Sequence, residues 1–242
     1  MEDTLSVIEA IWNLPGSWLD YNLMTLSNQT KPPLEVVVIN ASPDPGFFKE
    51  TEDVCAKYPL ARMVAAPHPK FNLAYSYNVA IQASQGKYVM ATCIDKLFSH
   101  RLLEEVYRLM APACMVTSNS YHLPMGFDLG DVNTLMDRWD VVYANRIIHN
   151  LFAIGTFMTV EREWLLKVRG FDEINHPFNY NDSDLMLRGT QDGFGPYPFV
   201  REEVAQVLHI GHPSTLYSGF GGHYPDATRP IVRNPGHWGN VA

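Results

Sequence analysis

The chain has 242 residues, of which 46% are hydrophobic and 18% are charged, and this composition is typical of one large or two small globular domains. Its 18 basic and 26 acidic residues give a formal net charge of -8, which argues against a large nucleic-acid footprint. The apolar runs are too short for a membrane span and the first residues are acidic, so we expect a cytoplasmic protein. Three cysteines without C-x-x-C spacing argue against a disulfide framework or a zinc knuckle.

The first half of the sequence alternates between predicted strands and predicted helices. Strands are predicted at residues 5–11, 34–40, 61–65 and 87–94, and helices between the first two strands, at 72–84 and at 100–110. Such alternation predicts an α/β fold in which helices cover a mainly parallel sheet.

The second half has a looser pattern. A helix is predicted around Trp139, a strand at 151–160, helices at 161–168 and 181–192, and a strand at 203–209. The segment after His212 is rich in glycine and proline but also contains aromatic residues, namely Tyr217, Phe220, Tyr224 and Trp238. Aromatic side chains at this density indicate a loop folded over a site, so we expect residues 214–223 to form a lid.

Four separated segments carry the functional signal. They are residues 6–13 with 26–30 and 35–44, then 71–81 with 86–95, then 170–173 with 178–193, and finally 209–214. In these patterns the sequence resembles the family 2 inverting glycosyltransferases of the GT-A fold, with galactosyltransferase-like features in the second half. The resemblance implies a single Rossmann-like domain over 1–242, with 1–118 as the nucleotide-binding half and 119–242 as the acceptor-binding and catalytic half.

The resemblance implies that strand ends in the first half bind a nucleotide-sugar donor, and a UDP-sugar is favoured. Trp12 occupies the position that stacks on the base, Asn40 an acidic position that contacts the nucleotide, and Asn78 a matching asparagine. Ile39 stands where an aspartate is usual, so the identity of the nucleotide base stays open. Tyr77 stands where an arginine is usual, so one cationic contact to the nucleotide is missing. The alternatives are a packing role for Trp12 and a local hydrogen bond for Asn78.

A metal site is the second implication of the resemblance. The D-x-D motif of the family falls on Cys93-Ile94-Asp95, so Asp95 is retained and a cysteine replaces the first aspartate. His209 and His212 follow a predicted strand, where related galactosyltransferases supply a metal ligand. We therefore expect Asp95, His209 and His212 to hold Mn²⁺ or Mg²⁺, with Cys93 as a small buried hydrophobe. Ordinary surface histidines are the alternative.

The third implication concerns the general base. The segment Asn181-Asp182-Ser183-Asp184 follows Gly170-Phe171-Asp172-Glu173 and precedes Leu185-Met186-Leu187-Arg188, which places Asp182 at the position of the catalytic aspartate. An inverting transfer requires a base that removes the proton of the acceptor hydroxyl. The alternative is that Asp182 caps a helix, because acidic residues are favoured at helix N-termini.

The sequence thus favours a metal-dependent inverting glycosyltransferase, of hexosyltransferase type, that acts on a glycan or another hydroxyl acceptor. A catalytically weakened GT-A module that binds a nucleotide sugar or glycan is the alternative, supported by the substitutions at Cys93, Ile39 and Tyr77. A nucleotidyltransferase is disfavoured because residues 13–16 do not form a glycine-rich basic phosphate loop.

Overall fold

The computed structural model describes residues 3–147, 156–212 and 225–240. Within these ranges the helices and strands are, in chain order, β1 (Leu5–Ile11), α1 (Gly16–Ser27), β2 (Glu35–Asn40), α2 (Pro45–Cys55), β3 (Ala61–Ala65), α3 (Leu73–Ala83), β4 (Tyr88–Thr92), β5 (Lys96–Phe98), α4 (Leu102–Leu109), β6 (Thr117–Ser118), β7 (Tyr121–His122), α5 (Trp139–Ala144), β8 (Phe157–Glu161), α6 (Arg162–Val168), α7 (Asn181–Gln191), β9 (Phe199–Val200) and β10 (Val207–His209).

The central sheet has five strands in the order β3-β2-β1-β4-β8. The first four strands run parallel, and β8 is antiparallel to β4. Every residue of β1 and β2 is buried, because helices cover both faces of this part of the sheet. This architecture confirms the predicted α/β fold with a mainly parallel sheet, in a single domain.

Two apolar cores lie on opposite faces of the central sheet. Helix α1 packs on one face through Leu19, Leu23 and Leu26, all with no exposed surface. Helix α3 packs on the other through Ala80 and Ile81 and their neighbours. The two helices hold the sheet from both sides, and the loops at the carboxyl ends of its strands are left at one edge, where open α/β folds place their ligands.

A second, three-stranded sheet has the order β5-β10-β7. The central strand β10 is antiparallel to β5 and parallel to β7. Because β5 follows β4 after a short turn, this small sheet lies beside the end of a central parallel strand. It therefore brings residues from the second half of the chain to the edge of the first half.

Several sequence predictions need correction in detail. Helix α2 was not expected; Asp44 caps it by accepting a hydrogen bond from the Gly46 amide, and Pro45 opens its first turn. The strand expected at 203–209 is confined to 207–209. Of the strand expected at 151–160, residues 151–155 lie outside the described chain.

The expected lid at 214–223, with Tyr217 and Phe220, lies outside the described residues, as does Tyr224. Trp238 is described, and it is buried in the core beside α3. In the described ranges, no helix combines the length and the apolar character that crossing a membrane would require.

Candidate metal and sugar-transfer site

Asp95, His209 and His212 meet at the junction of the two sheets. Asp95 lies in the turn between β4 and β5, His209 is the last residue of β10, and His212 follows three residues later. The Nε2 atoms of His209 and His212 each lie 3.2 Å from Oδ2 of Asp95. Between the two histidines, Gly211 packs directly on the loop that follows β7. A β-carbon at this position would collide with the Leu123 carbonyl oxygen.

The electrostatics of this cluster keep its groups in the forms that bind metal. Burial, and after it the nearby charge of Lys96, lower the pKa of His209 to about 4, so the imidazole is neutral at pH 7. Burial alone would raise the pKa of Asp95, but the neighbouring His209 and Lys96 and the hydrogen bonds from the imidazoles hold that pKa well below its usual range. A carboxylate and a neutral imidazole are both ready-made metal ligands.

The geometry of the cluster fits a divalent ion. One ligand atom from each of the three residues lies within 4.8 Å of the others. Adjacent ligands around an octahedral ion with bonds of about 2.1 Å stand about 3 Å apart, close to the separations found here. The second carboxylate oxygen of Asp95, Oδ1, is buried and accepts no hydrogen bond from the described residues.

Cys93 does not add a thiolate to this cluster. Burial raises the pKa of the Cys93 thiol to about 12, so the group stays protonated at neutral pH. The Tyr77 hydroxyl donates a hydrogen bond of 2.9 Å to the Thr92 carbonyl and lies 3.4 Å from the Cys93 sulfur. The two residues that differ from the family pattern therefore pack against each other.

Asp95 and Asp182 line the same cavity, which has a volume of about 260 Å³. The cavity opens at the carboxyl end of β4, and aromatic rings including Phe71, Tyr77 and Phe178 form part of its wall. A carboxylate of the candidate metal cluster and a second carboxylate thus face one space, which is the arrangement that the sequence predicts for a sugar-transfer site.

Asp182 lies in the first turn of α7. The N-cap residue Tyr180 has a left-handed backbone (φ 61°) and no capping side chain, while Asp182 Oδ1 accepts a hydrogen bond of 2.7 Å from the Ser183 amide. Burial raises the pKa of Asp182. Asp182 is therefore not the N-cap residue, although it bonds an amide of the first turn, and it presents to the cavity a carboxylate of increased basicity, as a general base requires.

The side chains of Trp12 and Asn40 are engaged within the protein. The Trp12 ring stacks on Phe71, with centroids 5.5 Å apart. The Asn40 amide donates to the Phe47 carbonyl at 3.0 Å and to the Thr51 hydroxyl at 2.8 Å, and its oxygen accepts from the Ser42 amide. These bonds join the end of β2 to α2. Asn40 has no exposed surface, so none of its atoms is accessible for the expected direct contact with a nucleotide.

The Asn78 side chain is likewise bonded within the protein. Its amide nitrogen donates to the Phe171 carbonyl at 2.9 Å and to Glu173 at 2.7 Å, while its oxygen accepts from the Phe171 amide. These partners are more than 90 residues away, so the bonds are not local, and the side chain has no exposed surface. Gly170 (φ 62°) allows this close approach, because a β-carbon there would collide with Asn78 Oδ1.

Sequence reasoning missed two residues beside the cluster, Lys96 and His122. Both are the cross-strand neighbours of His209 in the small sheet. The Nδ1 atoms of His122 and His209 lie 2.5 Å apart, so one of them carries the shared proton. The position of Lys96 next to Asp95 was the available signal, whereas strands as short as β5 and β7 leave no clear pattern in the sequence.

A second cavity of about 730 Å³ adjoins the cluster on its other side. His212 lines this cavity together with Trp18, whose ring stacks on the imidazole at a centroid distance of 5.2 Å. Tyr21 and Phe127 add further aromatic surface. Asp95 lines the first cavity and His212 the second, so the cluster stands where the two cavities meet.

Another group of potential metal ligands lies away from both cavities. Asp172, His176 and Asp184 are fully buried and also place ligand atoms within 4.8 Å of one another. Three arginines neutralise this group: Arg188 and Arg233 contact Asp184 at 2.8 and 3.2 Å, and Arg229 contacts Asp172 at 2.8 Å.

Neither a family model nor a curated protein sequence matches this chain. Among solved structures, it is similar to the mannosyltransferase PcManGT from Pyrobaculum calidifontis, which was determined in complex with GDP-Man and Mn²⁺. The similarity covers 87% of this chain and 57% of that chain, with a TM-score of 0.61 and 17% sequence identity. The chain therefore shares a glycosyltransferase fold and spans less than two thirds of the length of that protein.

Proposed function

We propose that this protein is a metal-dependent inverting glycosyltransferase that moves a sugar from a nucleotide-sugar donor to an acceptor hydroxyl. The observation that carries the proposal is the placement of Asp95, a member of the Asp95–His209–His212 cluster, and of Asp182 in the wall of one cavity at the carboxyl end of β4. The family 2 assignment rests on the sequence motifs, and the shared fold supports it.

Asp95, His209 and His212 would hold the divalent ion. Two imidazoles beside one carboxylate favour Mn²⁺ over Mg²⁺, which prefers oxygen ligands. When bound, the ion supplies positive charge that stabilises the diphosphate as it leaves the sugar. Because the imidazole of His209 is neutral at pH 7, metal binding at its Nε2 would require no net loss of a proton, only transfer of the Nε2 proton to Nδ1.

Asp182 acts as the general base in this proposal. Its carboxylate accepts the proton of the acceptor hydroxyl as that oxygen bonds to the anomeric carbon and the bond between that carbon and the diphosphate oxygen breaks. Burial raises the pKa of Asp182, which increases the basicity of the group.

The donor is proposed to be a UDP-sugar, and GDP-mannose is included because the similar structure contains it. Trp12 is proposed to stack on the base from the edge of the site. Asn40 and Asn78 would contribute indirectly, since the first fixes the end of β2 and the second joins α3 to the segment before α7. A glycan or another hydroxyl compound would be the acceptor.

A binding module without transferase activity is the second candidate. It is favoured by the protonated Cys93 thiol, which leaves the metal cluster with one carboxylate where the D-x-D motif supplies two. The two candidates differ in turnover: a transferase releases free nucleoside diphosphate, whereas a binding module only gains stability from the donor.

The test is a panel of UDP- and GDP-sugars incubated with Mn²⁺ and candidate glycan acceptors, with release of nucleoside diphosphate as the readout. We expect turnover that EDTA abolishes. Asp182→Asn should reduce transfer by about 10²–10⁴-fold while donor affinity stays nearly constant. Asp140→Asn, which changes an exposed acid in the first turn of α5, is the matched control. Near-normal transfer by Asp182→Asn would exclude Asp182 as the base.

A further inference from the structure

Lys96 lies in a row of basic side chains across the small sheet. It is paired with His209 on one side of β10, and His122 is paired with His209 on the other. Residues directly opposite each other on neighbouring strands project from the same face of a sheet. Lys96, His209 and His122 therefore share one face, beside the carboxylate of Asp95.

Lys96 is a buried residue whose ammonium has no partner among the described residues. Only 6% of the residue surface is exposed. In the described parts of the chain, no group accepts a hydrogen bond from this ammonium and no carboxylate lies within the 4.0 Å of an ion pair. Lysines are rarely buried to this degree unless a negative charge pairs with them, because desolvation of an ammonium is costly.

The other buried cations of the described chain show the usual solution. Arg188 and Arg233 are as deeply buried as Lys96, and each contacts the Asp184 carboxylate. Lys96 acts on the metal cluster through its charge, as the lowered pKa values of His209 and Asp95 indicate, but it forms no bond with either. Its position is thus that of a cation held ready for an anion from outside the chain.

The charge of the cluster indicates which anion fits. One carboxylate, one divalent ion and one ammonium carry a net charge of +2 when the imidazoles are neutral. A second aspartate in place of Cys93, with no lysine at position 96, would reduce that charge to zero. The diphosphate of a nucleotide sugar carries two negative charges, which matches the cluster with Lys96 included.

We propose that Lys96 binds the diphosphate of the donor and remains paired with it as it becomes the leaving group, supplying the cationic contact that is absent at Tyr77. The inference rests on the proposed function for the identity of the donor. Its physical core, an anion site formed jointly by Lys96 and the metal cluster, can be tested without sugar transfer.

The test measures binding of inorganic pyrophosphate in the presence of Mn²⁺ by calorimetry, for the full chain and for Lys96→Met. We expect affinity to fall at least tenfold in Lys96→Met, and Lys96→Arg to retain most of it because the charge is kept. Binding of Mn²⁺ alone should be unchanged or tighter in Lys96→Met, since a positive charge beside the ligands is removed. Damage to the fold would instead weaken both.

Lys87→Met is the control, because Lys87 is exposed and its ion pair is with the surface residue Asp3. Unchanged pyrophosphate affinity in Lys96→Met, a parallel loss of Mn²⁺ affinity, or no pyrophosphate binding by the unmodified protein would each overturn the inference. Sugar transfer is measured separately. If the protein transfers sugar but Lys96→Met binds pyrophosphate normally, only the role of Lys96 is wrong. If pyrophosphate binding depends on Lys96 but no sugar is transferred, only the proposed transferase activity is wrong.

Discussion

The cluster of Asp95, His209 and His212 and the cluster of Asp172, His176 and Asp184 offer similar ligand atoms at similar separations. Their surroundings differ. The first lies between two cavities, next to the buried residue Lys96, whose ammonium forms no ion pair with the described residues. In the second, three arginines contact the two carboxylates. Carboxylates that are already neutralised have no charge left for a metal ion.

Ligand geometry alone therefore does not identify a metal site. Asp172 accepts bonds from the amides of Ile174 and Asn175 as well as from Arg229, so its oxygens are occupied. Asp95 Oδ1 and Asp184 Oδ2 are both buried without a hydrogen bond from the described residues, but Asp184 Oδ2 lies 2.8 Å from the Arg188 guanidinium, whereas no arginine or lysine of the described chain forms an ion pair with Asp95. We therefore expect a structural role for the second cluster and a ligand-binding role for the first.

The largest effect should come from breaking the arginine-paired cluster. Asp184→Asn leaves Arg188 and Arg233 buried with less negative charge, and loss of one partner of a buried pair costs about 3–5 kcal/mol. Denaturant unfolding at pH 7 should show this loss. Asp192→Asn is the control, because Asp192 in the same region pairs with the exposed Lys167 and should cost no more than about 1 kcal/mol. Equal losses in the two variants would contradict a structural role for the cluster.

Glu9 is a third buried acid to compare with the two clusters. It forms no ion pair with the described residues. Burial raises the pKa of Glu9 from 4.5 to about 8, against a smaller opposing effect of Asn22. Because the pKa is higher in the folded state, the contribution of Glu9 to stability is fully present below pH 4.5 and is lost as the pH rises to about 8.

Glu9→Gln removes that loss because glutamine stays neutral. The variant should be more stable than the unmodified protein by roughly 3 kcal/mol at pH 7, with a smaller difference near pH 5. Denaturant unfolding at several pH values measures the difference, with the exposed Glu52→Gln as control. A gap that does not grow with pH would show that Glu9 is ionised in the folded protein.

A smaller effect is expected from metal at the first cluster. Mn²⁺ at a hundredfold excess over its dissociation constant should stabilise the protein by about 2.7 kcal/mol. Asp95→Asn should abolish this stabilisation. Asp172→Asn should lower the stability of the metal-free protein but leave the stabilisation by Mn²⁺ unchanged. Thermal unfolding with and without Mn²⁺ gives both results. Stabilisation that survives Asp95→Asn would place the ion elsewhere.

The order and type of the larger elements could be predicted because β1, β2, α1 and α3 have strong apolar patterns. Helix α2 was missed because its buried residues are few, Thr51, Val54 and Cys55, although Asp44-Pro45 is a recognisable helix start. The alternation of predicted strands and helices was sufficient to predict the parallel sheet. Strands of two or three residues, such as β7 and β10, carry too little pattern to be placed from sequence.

The site could be predicted only in part. Asp95, His209 and His212 do converge, as the motif spacing indicated. The roles of Asn40 and Asn78 depend on hydrogen-bond partners that no local pattern reveals, some of them more than 90 residues away. Lys96 depends on a strand pairing across more than 100 residues, so its burial and its lack of a partner become visible only in the folded chain.

The arginine-paired cluster also has a consequence for the order of events during synthesis. Arg233 follows Asp184 by 49 residues, so the acid leaves the ribosome well before its partner. Until Arg229 and Arg233 are synthesised, burial of α7 would enclose two carboxylates with only Arg188 beside them. The cavity wall that includes Asp182 is therefore expected to close late, after the parallel sheet has formed, and a chain interrupted in this interval would present an unfinished wall to chaperones and proteases.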